Sequence, residues 1–158
     1  MRSIFCCIVM ILWHLGGIAG SFDQDGRSYS PDDLGGGYTV IDFSASWCNP
    51  CWKLLPRLQV LAEQQPRIRF LVVSVDQRQQ GRDRLVRELK LKTPVIWDEG
   101  HVWAEYFQPE GMPTTLVVDP NGQVIYRHVG FSPKKWRDLE ELLAQLSARA
   151  GASADMGK

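Results

Sequence analysis

Apolar and polar positions alternate along this chain in blocks that predict a regular succession of strands and helices. Tyr38 to Ser44 (YTVIDFS) is β-branched and aromatic and predicts a strand. From Pro50 to Gln65, Leu54, Leu55, Leu58, Leu61 and Ala62 recur at helical spacing. Ile68 to Val75 (IRFLVVSV) is nearly unbroken in apolar residues, as expected of a strand buried on both faces. Arg82 to Leu91 predicts a charged helix whose stripe is Leu85, Val86 and Leu89. Pro94 to Trp97 is a short apolar run, and His101 to Phe107 a short helix candidate. Thr114 to Val118 and Val124 to Val129 predict strands joined by Asp119-Pro120-Asn121-Gly122, a hairpin signal. Trp136 to Leu146 closes the pattern as an amphipathic helix, with Ser132 or Pro133 placed to start it. The expected class is therefore α/β: a central mixed sheet flanked by helices, parallel in part and antiparallel at the hairpin.

The ends behave differently. Met1-Arg2 precedes the apolar run Ile4 to Leu15, and small residues follow from Gly16 to Gly20. A basic start, a short apolar run and a small-residue exit make residues 1–20 an expected signal peptide or N-terminal anchor. The run is short for a span of about 20 residues. Residues 21–37, with Gly26 and Gly35-Gly36-Gly37, read as a flexible lead-in, and 148–158 as a loose tail. That leaves one domain over 38–147. The chain has 158 residues, 44% of them hydrophobic, and 18 basic against 18 acidic side chains. Such a balance fits one folded domain and argues against a disordered chain, a multi-span membrane protein or a nucleic-acid binder.

Candidate chemistry changes the picture at one place. Cys6 and Cys7 lie inside the leader, so the remaining thiols are Cys48 and Cys51, within Ser46-Trp47-Cys48-Asn49-Pro50-Cys51-Trp52-Lys53. This segment follows a predicted strand and opens a predicted helix. The first amides of a helix lack partners and its dipole is positive there, which stabilises a thiolate on Cys48. Pro50 suits the first turn, because its missing N–H would have been unpaired anyway. Cys51 lies one turn further in and is the expected resolving thiol. A zinc site would need a second Cys or His pair, and His101 and His128 stand apart, so no metal is expected. A structural disulfide remains an alternative, although closing so short a loop restrains the unfolded chain little.

The strand–Trp-Cys-x-x-Cys–helix arrangement resembles the thioredoxin superfamily, and in particular its periplasmic thiol–disulfide oxidoreductases of the TlpA/ResA type. The likeness covers Tyr38 to Leu146. Asp42, six residues before Cys48, matches the family's buried carboxylate, and Pro56 its active-site-helix proline. Gly111-Met112-Pro113-Thr114-Thr115 matches the loop whose proline is cis and faces the cysteines. The segment from Val75-Asp76 to Pro94-Val95, and Asp98 to Phe107, looks like the extra segment of the TlpA-like branch. The resemblance implies a thioredoxin-like fold and dithiol–disulfide exchange without cofactor. It implies Asp42 as proton acceptor for Cys51, and Trp47, Met112, Pro113 and Thr114 as substrate contacts. Protein disulfides would be the substrates, a membrane thiol the electron donor, the periplasm the compartment, and apocytochrome c a typical target. A monomer is expected. Two departures from the pattern bear on the proton acceptor. No Lys stands in Phe70 to Ser74 to pair with Asp42, and the Glu that many relatives carry near the proline loop has only Glu110 as a counterpart.

Asn49-Pro50 places no cation or imidazole between the cysteines, which favours a reductant over an oxidant. A general oxidase or isomerase, a peroxiredoxin-like peroxidase and a non-catalytic binding module on the same fold stand as alternatives. Trp52 reads as a packing residue, Lys53 as a solvated helix residue, and His101 and His128 as ordinary surface or strand residues.

Overall fold

The computed structural model describes residues 21–155. The expected signal peptide, with Cys6 and Cys7, lies outside the described residues. A small antiparallel pair, β1 (Ser21–Phe22) and β2 (Ser28–Tyr29), leads through a one-turn helix at Pro31–Asp33 into the main sheet. The sheet is built from β3 (Thr39–Ser44), β4 (Arg69–Ser74), β5 (Val95–Trp97), β6 (Thr114–Val118) and β7 (Val124–Val129). Its spatial order is β5-β4-β3-β6-β7, with β3, β4 and β5 parallel and β6 and β7 antiparallel. Between the strands run α1 (Asn49–Gln64), α2 (Gln79–Leu89) and α3 (Val102–Phe107), and α4 (Pro133–Asp155) closes the chain.

Strand alternation sorts the core onto the two faces of the sheet. Val40, Val72 and Val117 pack with Leu54, Leu55 and Leu58 of α1, Leu85 of α2 and Leu139 and Leu143 of α4. Ile41, Phe43, Leu71 and Leu116 face the other way, against Trp103 and Phe107 of α3 and Leu34. The central strands β3 and β6 are buried along their whole length, which is why their sequences carry so few charges. The hairpin turns as its sequence predicts. Asp119 Oδ1 accepts from the N–H groups of Asn121 and Gln123, and Gly122 takes the positive φ of 81° that the turn requires.

Two expectations about the ends are corrected. Residues 21–37 are not a flexible lead-in but a latch on the domain. The buried Asp23 carboxylate accepts from the Asp25 and Arg27 N–H groups and from the Tyr29 hydroxyl, closing the β1–β2 turn. The Gln24 side chain then accepts from Val95 N–H at 2.7 Å and donates to Thr93 O at 3.1 Å, pairing the free edge of β5 as a neighbouring strand would. The expected tail begins inside α4, which continues to Asp155. Its Ala-rich sequence (Ala144, Ala148, Ala150, Ala152) propagates a helix without needing a core face.

Gln24→Ala leaves the N–H of the fully buried Val95 unpaired. It is expected to lower stability by about 1–3 kcal/mol, read as a shift of the urea midpoint at unchanged slope. An unaltered midpoint would show that the latch adds nothing to the sheet.

Candidate active site

β3 ends at Ser44, and the chain turns over Ala45 into α1, where Cys48 is the N-cap. Cys48 N–H donates to Ala45 O at 3.0 Å, and Cys51 N–H donates to Cys48 O at 3.0 Å, fixing the entry turn. The Cys51 N–H also lies 3.3 Å from Cys48 Sγ. The two sulfurs are joined in a disulfide of 2.07 Å. Cys48 is 5% exposed and Cys51 is 0% exposed, so an approaching reagent meets Cys48 first. The first turn of α1 holds no acidic residue, which leaves the positive end of the helix unopposed at Cys48.

The turn before Cys48 is clamped by Asp76, just beyond the end of β4. Ser46 N–H donates to both Asp76 carboxylate oxygens, at 3.1 and 3.0 Å, and Ser46 Oγ donates at 2.6 Å. Ser74 Oγ donates to the same carboxylate at 2.7 Å. Trp52, expected only to pack, donates its Nε1–H to Ser46 O at 2.9 Å and lies under the Arg84 guanidinium. Gly81 is what allows Asp76 into this position. A Cβ there would fall 2.3–2.6 Å from the Asp76 side chain.

Asp42 is completely buried on the α1 face of β3. Ser44 Oγ donates to its carboxyl at 2.5 Å and Thr115 Oγ1 at 2.8 Å. Thr115 is its cross-strand partner, and the apolar Val72 stands opposite on β4. Burial pushes the Asp42 pKa up to about 7, against the smaller downward pull of the two hydroxyl donors. The carboxyl is thus poised between its protonated and ionised forms at neutral pH.

The Met112–Pro113 bond is cis. Met112 packs against the Ala45–Cys48–Cys51 cluster, which brings the proline loop to the disulfide. Pro113 O accepts from Gly130 N–H at 2.7 Å, and Thr114 Oγ1 donates to Gly111 O at 2.5 Å. The Thr114 side chain is buried and turned into its own loop, whereas Trp47 is 66% exposed beside the cysteines. Glu110, Lys53 and His101 are exposed, and His128 is buried with Nδ1 3.0 Å from the Tyr126 hydroxyl. Burial and the nearby Lys135 lower the His128 pKa, partly offset by Asp138. Among the described residues no group of three or more His, Cys, Asp or Glu side chains is placed to hold a metal.

Reading the sequence missed Ser44, Ser74 and Asp76 as members of the site, and it missed the hydrogen bonds that Ser46 and Thr115 make there. A signal was present. Ser44-Ala45-Ser46 and Ser74-Val75-Asp76 leave paired parallel strands in register, with Ser44 opposite Ser74. Polar residues at alternate positions there must share one face and find one another.

An asymmetric cysteine pair at a helix N-terminus, over a buried carboxyl on a five-stranded α/β sheet, defines a thioredoxin-fold redox enzyme. Residues 17–127 match the AhpC/TSA family, and the chain belongs to it. Over 127 residues it is 24% identical to the thiol-disulfide oxidoreductase ResA of Bacillus cereus, covering 79% of this chain and 72% of that one. It is 33% identical over 114 residues to an H-type thioredoxin of Ricinus communis, covering 72% and 75%. The crystal structure of a thiol:disulfide interchange protein DsbE from Chlorobium tepidum superposes with a TM-score of 0.70 at 25% identity, over 83% of this chain and 91% of that one. The protein is a thiol–disulfide oxidoreductase of the ResA/DsbE type.

Two outcomes follow. Gly81→Ala forces Asp76 away from Ser46 and should destabilise the fold by about 1–3 kcal/mol while speeding exchange of the Ser46 amide hydrogen. Retained protection of that amide would rule out the clamp. For Asp42, the folded chain between about pH 4 and 7 holds a proton that the unfolded chain has released. Stability from this group is full below about pH 4 and is lost as the pH rises through 7. Oxidised protein should therefore have a lower urea midpoint at pH 8 than at pH 5, and Asp42→Asn should shrink that difference. An identical pH dependence in the variant would show that Asp42 does not carry it.

Proposed function

We propose that this protein is an exported reductant of disulfides in protein substrates, working by dithiol–disulfide exchange. The observation that carries the reading is the difference in access between Cys48, at the rim of the helix N-terminus, and Cys51, buried behind it. In the reduced form the Cys48 thiolate, favoured by the helix end, attacks one sulfur of the substrate disulfide. A Cys48–substrate mixed disulfide forms, and the displaced substrate thiolate takes up a proton. Cys51 then gives its proton to the Asp42 carboxylate and attacks Cys48 Sγ. The Cys48–Cys51 disulfide forms and the second substrate sulfur leaves as a thiolate, which takes up a proton as Asp42 gives back the one it received. The substrate has gained two electrons and two protons, and the enzyme awaits a thiol donor, for which a membrane-held dithiol fits an exported protein.

In this reading Trp47 and Met112 contact the substrate beside the reacting sulfurs, while Pro113 and Thr114 shape the loop that presents Met112. Export rests on the basic, apolar and small-residue succession of residues 1–20. The direction rests on the absence of a cation or imidazole between the cysteines, which leaves the Cys48 thiolate without the extra stabilisation of a strong oxidant.

The deciding measurement is the reduction potential of Cys48–Cys51 in glutathione or dithiothreitol buffers. A value near thioredoxin's, about −270 mV, is expected; one near the roughly −120 mV of DsbA would make the protein an oxidase instead. Cys51→Ser should accumulate a Cys48-linked mixed disulfide with substrate, and Cys48→Ser should form none. Asp42→Asn should slow resolution of that intermediate by roughly tenfold or more at pH 7, leaving its formation nearly unchanged. Turnover of peroxide by Cys48 in the Cys51→Ser variant would point to a peroxidase.

A further inference from the structure

Beside the disulfide lies an open cleft of about 800 Å³, within the range of ligand-binding clefts. One wall is Ser46 and Trp47, so the cleft begins at the residue next to Cys48. Val75, also in its wall, packs against the Ala45–Cys48–Cys51 cluster and is shared between cleft and redox site. Arg78, Arg84 and His101 also line it, together with Gln77 and Gln80.

The charges in this cleft are unequal in what they leave free. Asp76, the acidic residue lining it, is buried, and its carboxylate is taken up by Ser46 and Ser74. Arg84 is drawn towards Glu88 at 3.1 Å and over the Trp52 ring. Arg78 is exposed and has no ion pair or hydrogen-bonded side-chain partner among the described residues. The cleft thus offers an uncommitted guanidinium, a second cation, and an exposed indole next in sequence to Cys48.

We propose that this cleft binds a stretch of the substrate polypeptide that carries acidic side chains next to its reacting cystine. The inference rests on protein disulfides being the substrates, as argued above. A guest whose sulfur lies at Cys48 passes Trp47 directly into the cleft. Carboxylates there meet Arg78 and Arg84, in the bidentate geometry that a guanidinium favours. The glutamine amides can pair with the backbone of an extended chain whatever its sequence. Selection among disulfides then comes from charge in the cleft, and reactivity from the cysteine pair.

The test uses the reduced full chain and two cystine-containing peptides, alike except for Asp/Glu or Lys/Arg in the three residues flanking the disulfide. Their reduction is followed by thiol release, and the readout is the ratio of the two rate constants. The acidic peptide should react roughly tenfold faster at low salt, with the ratio falling towards one in high salt. Arg78→Glu should collapse or invert the ratio. Equal rates in the parent protein, a preference for the basic peptide, or a ratio untouched by Arg78→Glu would each overturn the proposal. Failure to reduce either peptide would instead remove the reading of protein disulfides as substrates, and this proposal with it. The salt dependence in the parent protein answers the question even if Arg78→Glu does not fold.

Discussion

A carboxylate removed from water must be met by donors, and the redox end of this molecule is organised around two that are. Asp76 draws in the N–H and hydroxyl of Ser46 and the hydroxyl of Ser74, tying the loop before Cys48 to the end of β4. Unmet, a buried carboxylate would cost several kcal/mol; met this way, it holds the loop in a single geometry. That geometry sets where Cys48 caps α1, hence how the helix dipole acts on its sulfur. The same need for space makes position 81 a glycine, although a helix interior ordinarily favours another residue.

Asp42 is solved differently. Two hydroxyls meet it but no cation does, so desolvation prevails and the carboxyl sits near 7. A cation on β4 would lower that value and make the group a poorer proton acceptor near neutrality. The apolar Val72 opposite Asp42 therefore keeps the carboxyl able to exchange a proton, at a cost to stability when it is ionised. Thr115 belongs both to this network and to the strand that follows the proline loop, so the carboxyl and the Met112 segment are held by one β-strand pair.

Most of the framework was legible in the sequence because it rests on short-range pattern. The strand at Thr114–Val118 and the hairpin turn at Asp119–Gly122 follow from β-branched runs and local turn chemistry. The helix carrying Leu54, Leu55 and Leu58 follows from one apolar stripe. What was not legible depends on contacts distant in sequence. Gln24 reaches Thr93 and Val95 across about 70 positions, and nothing in a Gly-rich polar stretch announces that its amide will complete a sheet edge. Ser46 and Asp76 are 30 residues apart, and only the register of β3 against β4 brings them together. The cysteine pair was readable because its spacing is its geometry. The hydroxyls that hold Asp42 were not, because serine and threonine are common and their meaning comes from the face they share.

Specificity and reactivity occupy adjoining but separable parts of this surface. The sulfurs, Asp42 and the proline loop are buried or nearly so, and their chemistry is common to any disulfide that reaches Cys48. Trp47, Arg78 and His101 are exposed and outside the hydrogen-bonded network that sets the cysteine geometry. Charge on that outer rim can change without disturbing the Asp76 clamp, because the clamp's donors are the loop itself and a strand serine. Val75 and the Ser46–Trp47 turn are the shared boundary, fixed from below by Asp76 and open to a guest from above. A fold arranged this way can alter which disulfides it accepts by changing surface cations, while the proton balance and the thiolate environment beneath stay as they are.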